Sequence, residues 1–224
     1  MSKLRIFGLG LLALMATGAF AVMNASANGG GGHFTSDAAD GHTHIIGKES
    51  GTHVVHFRPH GGGLNERIGC DEDSYTATTL SNTVESLTIT PAYGKCYTTN
   101  PEKTPVTIDV NGCTYTFTVT KGTVDSTEQE VHLVCPPGKA IEITHPNCNI
   151  TVDPQSVKNA VTYTTLFENG KHTITLDVNA TFKTTFHEKI CILLGTENHF
   201  GELIGSVTVE GFNTAGNRLN ITAT

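Results

Sequence analysis

The sequence predicts an all-β protein: an antiparallel β-sandwich, or two packed β-sandwich halves, stabilised by disulfides and without helices of note in the mature chain. Three observations predict it. From Ser74 onward, short Thr- and Val-rich stretches recur every eight to twelve residues, the spacing of sandwiches and barrels. Apolar and polar residues alternate within them with a period of two, and no stretch after the leader shows a 3.6-residue period. All six cysteines lie between Cys70 and Cys191, inside this strand-rich region.

Residues 1–27 read as a signal peptide. Lys3 and Arg5 precede an uncharged apolar run from Ile6 to Met23, and Ala25-Ser26-Ala27 offers a small-x-small cleavage site. The run also reaches the lower length limit of a membrane span, so an uncleaved anchor is the alternative reading. Gly8, Gly10, Gly18 and the Ala-Ser-Ala end favour cleavage, and hence a secreted, extracellular chain with no membrane span. Residues 28–41 are Gly- and Asp-rich and are expected to be a flexible leader.

Residues 42–69 form a His-rich segment, read as a hairpin. His42–Ile46 and Thr52–Phe57 are its strands, with a turn around Gly47–Gly51. Residues 70–224 then make one disulfide-stapled β domain, with a candidate sub-boundary near 136–146.

The clearest strand is Cys113–Thr120, whose odd positions are Cys, Tyr, Phe and Val and whose even positions are all Thr. Such strict alternation marks a half-buried strand with one wet face. Gln129–Cys135 places Val131, Leu133 and Cys135 on one face. Pairing Val119 with Gln129 sets Phe117 opposite Val131, Tyr115 opposite Leu133 and Cys113 opposite Cys135. Both apolar faces then coincide, as one buried side requires.

Cys113–Cys135 is therefore the firmest expected disulfide. Nearest-neighbour pairing of the others gives Cys70–Cys96 and Cys148–Cys191. In an oxidising compartment disulfides are the first use of six cysteines, and no C-x-x-C spacing suggests zinc or redox chemistry. The chain-entropy model gives roughly 3.4 to 4 kcal/mol for each.

Further on, Ile141/Ile143 and Ile150/Val152 flank a turn at His145–Cys148. Ile174, Leu176, Val178, Ala180 and Phe182 alternate with polar residues, and Val207/Val209 open a last hairpin closed by Leu219 and Ile221.

Several of these segments carry motifs. They are Gly32-His33-Phe34 in the leader, Ile-Thr-Pro-x-Tyr-Gly-x-Cys from Ile89 to Cys96, and Val-Asn-Gly-Cys-x-Tyr-x-Phe from Val110 to Phe117. Cys-Pro-x-Gly-Lys-x-Ile from Cys135 to Ile141 and a Gly/Val-rich end from Gly205 to Phe212 complete the set. In these features the run from about Phe34 to Thr224 resembles a secreted, six-cysteine, β-rich protein family of actinobacteria with no assigned activity. The resemblance implies export and a β fold, and implies nothing about chemistry.

Among candidate chemical groups, histidine stands out: six of the eleven lie between His33 and His60. In the expected hairpin, His42, His44 and His53 share a face and could offer imidazoles to Zn²⁺ or Cu²⁺. Asp71-Glu72-Asp73 is a weaker Ca²⁺ candidate. Enzyme signatures are missing: there is no Gly-x-Ser-x-Gly, and His187-Glu188 lacks the second His of a zinc-protease motif. Glu142 and Asp177 stand for the scattered acids that could converge only in the fold.

Asn149, Asn179 and Asn220 sit in glycosylation sequons. The formal charge is −7, without a basic run, so nucleic acid is not an expected partner.

The reading is a secreted, non-catalytic protein with a binding or structural role toward an extracellular ligand or cell-envelope component, and with no cofactor. Extracellular metal binding and a secreted hydrolase are the alternatives. Native mass spectrometry of protein from the medium is expected to show a chain starting at Asn28. Its mass is six hydrogens light and unchanged by EDTA; an adduct that EDTA strips would restore the metal reading.

Overall fold

In the computed structural model, residues 32–49, 56–60, 67–79, 82–99, 103–119, 129–146, 148–187 and 200–223 are described. The first part of the chain supplies β1 (Phe34–Ser36), β2 (Thr43–Glu49), β3 (His56–His60), β4 (Ile68–Thr79), β5 (Thr83–Val84) and β6 (Ser86–Thr98). The middle supplies β7 (Pro105–Asp109), β8 (Thr114–Thr118), β9 (Gln129–Val134), β10 (Ile141–His145) and β11 (Cys148–Val152). The last part supplies β12 (Gln155–Glu168), β13 (Lys171–Lys183), β14 (Thr185–Phe186), β15 (Phe200–Phe212), β16 (Arg218–Leu219) and β17 (Ile221–Ala223). No helix occurs among the described residues.

Eight of these strands form a ring. β2, β4, β6, β8, β9, β12, β13 and β15 pair antiparallel in that order, and β15 returns to pair with β2. The architecture is a closed up-and-down barrel, which corrects the expected sandwich. Alternation and strand spacing are the same in both folds. The difference lies in which strand meets the last one, and in five wall strands of 12 to 14 residues, long enough to tilt around a barrel axis.

The predicted register in the middle of the wall is the observed one: Tyr115 faces Leu133 and Phe117 faces Val131. Cys113 is bonded to Cys135, and Cys70 to Cys96, its direct cross-strand partner between β4 and β6. Cys148 is also disulfide-bonded; Cys191 lies outside the described residues. Ile141 faces Val152 and Ile143 faces Ile150, as their turn predicts.

Each end of the ring is covered by a further sheet. At one end β1 lies between β17 and β5, with Phe34 buried and its ring edge-on to Tyr163 at 5.3 Å. At the other, β7 leaves β6 and continues through β10 and β11 to β14. Ile141, Ile143 and Val152 of this arm pack toward Leu133, Tyr93 and Phe182 of the barrel. The core is thus one body of side chains inside the ring, continued under both covers.

Three expectations change with this topology. Residues 34–36 of the expected flexible leader are a strand of the plug sheet, because Phe34 has an apolar seat there. Residues 28–31 lie outside the described residues.

The expected 42–57 hairpin does not form: β2 and β3 share one lane between β15 and β4 and do not pair with each other. Along β15 the three steps from Ile204 to Val207 are matched by seven on that lane, from His56 to Glu49. Residues 50–55 lie outside the described residues. Finally, wall strands come from both sides of 136–146, so that stretch divides no domains, and the body does not begin at Cys70.

Glycines let the ring close. Gly47 of β2 faces inward, and a Cβ there would stand 2.8 Å from Tyr75 Cβ and 2.9 Å from Val207 Cγ1. The longest hairpin, β12–β13, turns on Asn169 and Gly170, whose φ values of 53° and 78° are those a two-residue type I′ turn demands. Gly47→Ala is expected to destabilise the fold by about 1–3 kcal/mol through overpacking. Urea unfolding measures this, and an unchanged midpoint would mean that the seam is looser than described.

Candidate functional site

The barrel interior is the first place to look. Its wall alternates: in β8, Tyr115 and Phe117 are buried while Thr114, Thr116 and Thr118 are partly exposed. The inward set meets in the middle, leaving two adjoining voids of about 30 Å³ each, both lined by Tyr93, Tyr115 and Leu203. Each void holds water-sized molecules only. An eight-stranded ring has an interior that side chains just fill, and here they fill it.

Tyrosines join the buried Gln129, Thr43, Thr98 and Thr173 as polar groups of this core. The Tyr93 hydroxyl donates to the Tyr115 hydroxyl at 3.3 Å, and Tyr75 donates to Asp73 Oδ2 at 3.3 Å. Burial pushes the Tyr115 pKa up to about 12, with the Tyr93 hydrogen bond a smaller, opposing effect. Burial, followed by charge repulsion from Tyr115 and Tyr75, raises Tyr93 well above its ordinary value. Burial raises Tyr163 too. Such hydroxyls stay neutral at physiological pH and serve packing, not proton transfer.

Among the described residues the outer wall is mostly polar, with Ile46, Val134 and Ile204 as exposed apolar side chains. Thr88 of β6, Thr116 of β8, His132 of β9 and Ser156 of β12 are successive cross-strand partners and form one row across four strands. Thr88 and Thr116 hydroxyls are 3.0 Å apart, and His132 Nδ1 is 2.6 Å from Ser156 Oγ. Lys48, Asp177 and Glu130 also face outward, with Asp177 accepting from Ser206. A membrane-spanning barrel carries an outward apolar band instead. No helix among the described residues is long and apolar enough to cross a membrane.

Ser156, His132 and Glu130 resemble a nucleophile, a base and an orienting acid, since Glu130 Oε2 lies 3.8 Å from His132 Nε2. The trio stands on the convex outer wall, where a bound substrate would remain in water. β9 has ladder partners on both sides, and β12 shifts register against it between Val157 and Val161, next to Ser156.

Among the described residues, those singled out in the sequence do not form a cluster. His42 and His44 are exposed on the outer wall beside Ile46, while Thr43 and Ile45 point inward; His53 lies outside the described residues. No group of three metal-ligating side chains occurs among the described residues. The expected metal trio assumed a β2–β3 hairpin, which does not form, and its third member, His53, lies outside the described residues.

Asp71, Glu72 and Asp73 lie within β4 and have separate partners: Tyr97 donates to Asp71, Lys95 pairs with Glu72, and Tyr75 donates to Asp73. They form no calcium-type cluster. Glu142 on β10 and Asp177 on β13 belong to strands that do not pair.

What the sequence did not single out is a corner at the plugged end. β9 and β15 stop pairing with the β12–β13 hairpin at Val161 and Ile174, so its tip projects past both. There Phe167 is 66% exposed, and its ring lies 5.0 Å from that of its cross-strand partner His172. Asn220 Oδ1 accepts from the His172 N–H at 2.9 Å, and its Nδ2 donates to Asp37 Oδ2 at 2.6 Å. Lys171 Nζ stands 3.6 Å from the same oxygen.

Partial burial opposes ionisation of Asp37, but hydrogen bonds from Asn220 and the Lys171 ammonium outweigh it and hold the carboxyl below the usual range. The Asn220 sequon is thereby occupied: both ends of its amide are engaged. A single exposed Phe beside an Asn-Gly turn was the only available signal for this corner.

The tyrosines give a pH test. Their folded pKa values exceed those of the unfolded chain, so their contribution to stability is complete below about pH 10 and is lost as pH rises toward 12. Absorbance at 295 nm is expected to show Tyr93, Tyr115 and Tyr163 ionising only as the fold opens. Free titration of all five tyrosines near pH 10 would contradict the filled interior.

Comparison of the chain with family models, with curated proteins and with solved structures finds no match.

Proposed function

We propose that this protein is a secreted, non-catalytic binding barrel that engages an extracellular ligand or cell-envelope component through its outer surface. The observation that carries the reading is the division of the wall: the interior is packed mainly with apolar and tyrosine side chains, while the outside presents rows of Thr, Ser and scattered charge. With only water-sized space inside, recognition falls to the outer face. Export is supported by the leader and by cysteines that are all paired among the described residues.

Hydroxyl rows on a rigid, cross-linked scaffold suit a polar, repetitive partner. The ordering cost of binding is small when the contacting side chains sit on paired strands. A glycan polymer of the envelope has that chemistry.

Labelled protein mixed with insoluble cellulose, chitin and cell-wall peptidoglycan tests the reading. Partition onto at least one polymer, lost after reduction and unfolding, is the expected result. No partition above that of an inert protein on any of the three would overturn it.

A further inference from the structure

The corner at the plugged end joins an exposed aromatic platform to a fixed polar cluster. Phe167 and His172 face each other across the β12–β13 hairpin, two residues from its Asn169-Gly170 turn. Alternation from the buried Tyr163 and Leu176 places both on the hairpin face that points over the plug sheet. Asp37 is held by the backbone N–H of Asn220 at 2.8 Å, by the Asn220 side chain and by Lys171. Asn220 ties this cluster to the backbone of His172. Ring, carboxylate, amide and ammonium thus belong to one corner built from the β12–β13 hairpin, the residue between β16 and β17, and the segment after β1.

Phe167 is the most exposed large apolar side chain among those described. Its companions at the tip give a partner two things at once: an apolar ring face and, beside it, donors and acceptors already fixed in place. A pyranose with all-equatorial substituents has the complementary form. Its axial C–H groups make two flat apolar faces, and its hydroxyls point outward in the ring plane.

We propose that this corner is a binding subsite for a β-linked, gluco-configured glycan. Phe167 and His172 stack on a sugar ring, and Asp37, Asn220 and Lys171 hydrogen-bond its equatorial hydroxyls. The inference rests on the outer-surface reading above and names the ligand class and the contact.

NMR titration of the full mature protein with cellohexaose and with chitohexaose tests it. Saturable shifts centred on Phe167, His172 and Asn220 are expected with at least one of them. Phe167→Ala is expected to weaken that affinity by roughly tenfold or more, while Phe167→Tyr keeps it. Both variants should unfold at the wild-type temperature, because the ring is mostly exposed.

The proposal falls if neither sugar produces saturable shifts, or if the Ala variant binds as tightly as wild type. Should the polymers still retain wild type and Phe167→Ala equally, this subsite is wrong and the outer-surface reading stands. If no polymer retains wild type, both fall.

Discussion

The pairing of β15 with β2 is the constraint on which the rest of the structure depends. It joins the C-terminal part of the chain to the N-terminal part and turns a meander with two open edges into a ring with none. Every other strand pair in the ring joins wall strands that are successive along the chain. This one must be reached across the full sequence, so the seam has to fit once all the others are in register. Glycines sit there for that reason: Gly47 and Gly211 face inward where Tyr75, Val207, Ile221 and Thr43 leave no room for a Cβ. The two disulfides between described cysteines join neighbouring segments, β4 to β6 and the start of β8 to the end of β9. They reinforce the ladder and leave closure itself to packing.

Closure then decides where function can reside. An eight-stranded ring encloses little more than its own side chains, and the aromatic content of this one consumes that space. The two ends are covered by sheets, one of β17, β1 and β5, the other an arm that branches from β6. On the outer wall the strand pleat repeats polar residues two positions apart along each strand, and the ladder aligns them between strands. The Thr88–Thr116–His132–Ser156 row is the direct product of these two periodicities.

The candidate surface was only partly legible beforehand. Thr-rich alternation announced a wet face, and the wet face is the outer wall. The hairpin read between His42 and Phe57 assumed a turn at Gly47–Gly51, whereas β2 runs on through Gly47 to Glu49 in the same lane as β3. Phe167, His172, Asp37 and Asn220 lie far apart in the chain, except for the one pair that the Asn169-Gly170 turn brings together. Their association depends on β1 and β17 meeting in the plug, which no local pattern encodes.

The sequence by itself determined the all-β class, the faces of the strands, the Cys113–Cys135 register and the turn between β10 and β11. These follow from side-chain period and local turn chemistry, which act over a few residues. Only the tertiary structure decided that the strands close into a barrel, that the N-terminal segment helps cover one end, and that the interior is full. Those outcomes depend on which distant strand occupies the last open edge. That choice is settled by twist, strand length and the fit of buried side chains across the ring, quantities that no single stretch of sequence carries.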